Sequence, residues 1–86
     1  MTNKQSMADR WIGATVSRLL KEDGYKYSDM ARRMRMPYST FSAKRHGRSP
    51  FSFPEIYAIC LITGRDPAEF VPPKSHLRLL PKHPGK

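Results

Sequence analysis

No residue in this chain restricts the fold as tightly as Pro37, which stands between two short helical patterns. Proline has no backbone N–H and pushes the residue before it, here Met36, out of the α region. A helix approaching from the N-terminal side must therefore end, and a new one must begin at or after the proline. On the near side Met30, Ala31 and Met34 fall at i, i+1 and i+4, one face of a helix. Ser28 stands before them as the expected N-cap, with the Asp29 carboxylate in the positive first turn. On the far side the spacing predicts a helix over residues 37–45, with Pro37 in its first turn and Gly47 closing it. Two helices of about eight residues, joined by a turn of about three or four, have helix-turn-helix geometry.

Charge points the same way. Residues 28–48 hold Arg32, Arg33, Arg35, Lys44, Arg45 and Arg48 against one carboxylate, Asp29, and residues 30–54 contain no acid at all. A solvated helix face mixes both signs, so this asymmetry implies a polyanionic partner. The whole chain of 86 residues carries a net charge of +9, which makes nucleic acid the leading partner and an anionic membrane the second. The membrane reading fails for want of a span: the most apolar run, residues 56–62, is too short to cross a bilayer. No apolar leader precedes the first helix, and Cys60 is the single cysteine, so a reducing cytoplasm is expected and an internal disulfide is excluded.

The other elements follow from their own signals. A first helix is expected after Ser6, running to about Asp23, with Ala8, Ile12, Val16, Leu19 and Leu20 as its apolar stripe. Trp11 lies off the centre of that stripe and reads as edge packing. Ser52 and Glu55 have capping-box spacing, with Phe51 and Ile56 placed as a hydrophobic staple, so a fourth helix starts there and ends before Gly64. Asp66 and Glu69 repeat the signal around Pro67 and predict a short fifth helix to about Val71, stopped by Pro72 and Pro73. The expected organisation is an arm over residues 1–6, an all-α, five-helix domain over 7–71, and a flexible basic tail over 72–86.

With these elements placed, the chain resembles the lambda-repressor-like (Cro/C1, or XRE-type) helix-turn-helix domains. Val16, Leu19, Gly24, Tyr25, Met30, Ala31, Met34 and Met36 carry the resemblance, with the run Ser39, Thr40, Phe41, Ser42 and then Gly47 and Arg48. Gly64 and Phe70 match it more loosely. Three positions depart from the family pattern. Arg35 stands where the turn normally has glycine, Pro37 where a serine caps the recognition helix, and Lys44 where an apolar residue is usual.

The resemblance implies double-stranded DNA as the partner, with the second motif helix in the major groove. Carried over by position, Tyr38, Ser39, Ser42 and Ala43 are the expected base readers, with Arg45 or Arg48 supplying any guanine contact. Counting about 100° per residue from an inward Phe41 independently turns Ser39, Ser42, Ala43 and His46 outward. Tyr27 and Ser28 match the family's phosphate-contacting position, and helix N-termini favour phosphate on their own account. Arg32, Arg33, Arg35, Lys44 and His46 complete the expected backbone contacts.

Neither a metal nor a cofactor is expected. His46, His76, His83 and Cys60 lack metal-ligand spacing, and no nucleophile–base pair or glycine-rich phosphate loop suggests an enzyme. The methionines Met30, Met34 and Met36 read as core filling. The leading function is a sequence-specific transcription regulator, a repressor of phage or bacterial type. An excisionase-like architectural factor and an antitoxin-type interaction module are the alternatives. Two copies could pair through exposed parts of the fourth or fifth helix. If four to six phosphates are neutralised, log K is expected to fall against log salt with a slope of about −4 to −5. Binding measured across a salt series checks this, and a slope near zero would exclude the DNA reading.

Overall fold

The computed structural model describes residues 7–73. The expected arm and the tail beyond residue 73 lie outside them. Four α-helices follow one another: α1 (Met7–Glu22), α2 (Tyr27–Arg33), α3 (Tyr38–Arg45) and α4 (Phe53–Thr63). The predicted fifth helix is instead a single 3₁₀ turn, Pro67–Phe70, which corrects the five-helix expectation. Its cause is local. Asp66 accepts a hydrogen bond from the Ala68 N–H at 2.9 Å and its own N–H reaches the Glu69 carboxylate at 3.1 Å, so the box closes on one turn. Pro72 then forces Val71 into extended backbone, φ −91° and ψ 119°, and propagation stops.

The core is formed by Val16, Leu19 and Leu20 of α1, Met30 and Ala31 of α2, Phe41 of α3, Ile56, Ile59 and Cys60 of α4, and Phe70. Met34 and Met36 pack partly buried against it, in keeping with a filling role. Phe41 is wholly buried and meets Phe51 edge-on, with centroids 5.9 Å apart. Trp11 is half-buried at the surface beside Met7, Arg10 and Ala14. Helix α1 approaches the end of α3 closely because residue 13 is glycine: a Cβ there would stand 2.7 Å from the Lys44 carbonyl and overlap that of Arg45.

The turn between α2 and α3 is a Schellman motif. The Met36 N–H returns to the Ala31 carbonyl and the Arg35 N–H to that of Arg32, both at 3.0 Å. Arg35 occupies the left-handed position with φ 58°, at a cost of about 1–3 kcal/mol for a residue with a Cβ. The same pair of bonds ends α3 at Gly47, whose missing side chain also lets the Arg10 backbone approach. Two boundaries differ from expectation. Helix α2 starts at Tyr27, with Lys26 rather than Ser28 as its N-cap, because Tyr27 is held by α1: its hydroxyl donates to the Ser17 carbonyl at 3.0 Å. Pro37 is the N-cap of α3 rather than its first residue, since its carbonyl accepts the first helical bond, from Phe41.

Arg65 braces the far end of the domain. It grips both oxygens of Asp23 at 2.8 and 2.9 Å and donates to Glu69 at 2.8 Å, joining the end of α1 to the 3₁₀ turn. The hydrogen bonds from Arg65 hold the Asp23 carboxyl below its ordinary value of 3.8. A carboxylate with a lowered folded pKa stabilises the fold fully above the unfolded value, and the contribution disappears as the pH falls through the folded one. Arg65→Met is therefore expected to lower the melting temperature at neutral pH and to flatten its decline below about pH 4. Thermal melts across an acid series check this. Phe41→Ala is expected to cost about 3–5 kcal/mol in urea melts, a large fraction of a small domain's stability.

Candidate nucleic-acid interface

Once Phe41 is seated inward, the helical period decides what α3 offers to solvent. Tyr38 is half exposed, Ser39 and Thr40 are exposed, Ser42 and Ala43 are half-buried, and His46 is exposed at the C-terminal end. The His46 Nδ1 lies 2.8 Å from the Ser42 carbonyl, which can only accept, so Nδ1 carries the proton in this arrangement. The early residues of α3 thus present two hydroxyls and a phenol within a run of sequence that holds no acid. Arg48, just past Gly47, is also exposed.

Helix α2 and the turn add exposed cations to the motif. Ser28, Arg32 and Arg33 are exposed, as is Arg35 in the turn. Arg32 pairs with Asp29 at 3.0 Å on the surface, a contact of small energetic weight that a phosphate can compete for. The Arg33 guanidinium stands 5.8 Å from the centre of the Tyr25 ring. No side chain caps the start of α2, so its first N–H groups are open to an external acceptor.

Two expected contacts are held elsewhere. The Lys44 ammonium donates to Glu55 at 2.9 Å and to the Pro50 carbonyl at 3.1 Å, locking the end of α3 to the start of α4. Burial acts on Glu55 first, to raise its pKa. It is outweighed by the Ser52 N–H and the Lys44 ammonium, which hold the carboxyl below its ordinary range. Lys44 is thus turned inward to α4, and the sequence alone could not show which of the acids would take it. Arg45 is also engaged: its guanidinium lies 3.7 Å from the centre of the Tyr27 ring and donates to the Ser17 hydroxyl at 3.1 Å. Tyr27 itself is half-buried, its hydroxyl directed to α1.

Three residues absent from the expected set stand at this surface. Thr40 is exposed in the first turn of α3, where the angular count from Phe41 did not select it. Lys21 and Lys26 line a groove of about 320 Å³ together with Tyr25, Tyr27, Ser28 and Tyr38. Both lysines lie outside the basic run of residues 28–48, and only folding places them beside the first residue of α3.

Elsewhere the chemistry is sparse. The Cys60 thiol is buried and pushed up by that burial, with the Asp66 and Glu69 charges adding to the effect. Among the described residues no group of three or more His, Cys, Asp or Glu could hold a metal ion. No described helix is long and apolar enough to cross a membrane.

Comparison with known proteins agrees with this geometry. No curated protein and no solved structure matches the chain. A family model describing the Cro/C1-type HTH DNA-binding domain matches residues 15–72, from the middle of α1 through the 3₁₀ turn. Its span covers all of the helix-turn-helix and most of the chain, and the protein therefore belongs to the Cro/C1-type helix-turn-helix DNA-binding domains.

Proposed function

We propose that the protein is a sequence-specific transcription regulator of the phage or bacterial repressor type, with α3 in the major groove of its operator. The observation that carries this is the outer face of α3: exposed hydroxyls at Tyr38, Ser39 and Thr40 in an acid-free run, flanked by the exposed arginines of α2. Tyr38, Ser39, Ser42 and Ala43 read base edges, the hydroxyls accepting or donating and Ala43 meeting a thymine methyl. Arg48 supplies the guanine contact. Ser28, Arg32, Arg33, Arg35 and His46 hold phosphates, and Tyr27 contributes its backbone N–H, its hydroxyl being used within the fold. The site of action is the bacterial cytoplasm, on the nucleoid.

A homodimer through α4 fits the same function. Phe53, Tyr57 and Leu61 recur every four residues on one side of α4 and stay exposed at 65, 48 and 85%. Paired copies would present two recognition helices to half-sites about one helical turn apart. Selection of bound sequences from a random duplex pool is expected to return a palindrome. A bulky residue at Ser42 or Ala43 is expected to change which sites are preferred, by about 1–3 kcal/mol per disturbed base contact. Neutralising Arg32 or Arg33 should weaken all duplexes alike and flatten the salt slope by about one unit. Equal weakening of selected and scrambled DNA by the Ser42 and Ala43 variants, with preference altered by Arg32 or Arg33, would invert the groove assignment.

A further inference from the structure

We infer that Arg45 is a positioning residue, which sets the angle of the recognition helix against the phosphate-gripping end of α2 and touches no base itself. This rests on the DNA-reading role of α3 proposed above. Five contacts converge at this point of the fold. The planar guanidinium lies on the Tyr27 ring at 3.7 Å, close enough for a full stacking interaction. Its Nη1 donates to the Ser17 hydroxyl at 3.1 Å, which in turn donates to the Gly13 carbonyl at 3.0 Å. The Tyr27 hydroxyl donates to the Ser17 carbonyl at 3.0 Å. The backbone of Arg45 rests directly over Gly13, where no side chain could fit.

Ser17 therefore holds both partners of the stack, one through its side chain and one through its backbone. The first residue of α2 and the last of α3 are tied to one turn of α1 and to each other. The Nε–H of Arg45 is buried with no acceptor, so the group is placed for the stack at the expense of a hydrogen bond. An arginine oriented toward DNA would keep that donor in solvent or on a phosphate. A phosphate held at the start of α2 thus determines where the hydroxyls of α3 meet the base edges, through Arg45. Loosening the stack lets α3 tilt, which costs the matched site more than unmatched DNA.

The test compares the full chain with Arg45→Lys, Arg45→Met and Tyr27→Phe on the selected duplex and a scrambled one, at two salt concentrations, with helical content followed by circular dichroism. Arg45→Lys and Arg45→Met are both expected to reduce the preference for the selected site by about tenfold, with the salt slope unchanged, because what is lost is the geometry of the stack and the Arg45 charge neutralises no phosphate. Tyr27→Phe keeps the ring and removes one hydrogen bond, so a fall of about threefold is expected, and this variant decides the matter should the Arg45 variants fail to fold. A slope flattened by about one unit in Arg45→Met, with preference intact, would make Arg45 a phosphate ligand and overturn the inference. A changed base preference at a single position would make it a reader and do the same. Preference unaltered in all three variants would also overturn it, alone. A wild-type chain that binds neither duplex would overturn the DNA reading and this inference with it.

Discussion

Phe41 has no exposed surface, and its burial fixes everything α3 presents outward. A helix of eight residues has little stability of its own, so α3 holds its shape through tertiary contact. One large aromatic anchor, set edge-on against Phe51, locates the helix axis and its rotation together. The outward position of Ser39 then follows from the helical period, and that of Thr40 from its place in the open first turn. The close approach of α1 at Gly13 sets the C-terminal end of α3, at the Lys44 and Arg45 carbonyls.

Charge is divided along the molecule in a way that serves the same end. Glu22, Asp23 and Glu69 gather around Arg65 at the junction of α1 and the 3₁₀ turn. Glu55 is taken up by Lys44 and its own capping box. These acids are thus engaged by cations or caps, and Asp29, paired with Arg32, is the one carboxylate on the motif helices. The cations of α2 and of the turn face solvent without an equal number of acids, and long-range attraction to a phosphate backbone is the result.

The family glycine is missing from the turn, yet the turn keeps its form. Arg35 adopts the left-handed conformation, and the two Schellman bonds around it match those at Gly47. The strain is confined to one residue and is offset by hydrogen bonds that would otherwise be orphaned at the end of α2. In exchange the turn carries an exposed guanidinium in place of a bare backbone.

The sequence by itself determined the four helices, their stops at Gly24, Pro37, Gly47 and Gly64, the inward face of α3 and the family. Each of these follows from short-range rules: helical period, the missing N–H of proline, the reach of a capping box. Tertiary structure alone decided where the long cationic side chains go. A lysine or arginine spans several ångströms and chooses among partners far apart in the chain, so Lys44 found Glu55 and Arg45 found Ser17 and Tyr27 without any local signal. The same distance effect moved the start of α2 to Tyr27 and brought Lys21 and Lys26 beside Tyr38. The shortening of the fifth helix to one turn is by contrast a local outcome, since the Asp66–Glu69 box and the extended Val71 before Pro72 close it without any distant partner.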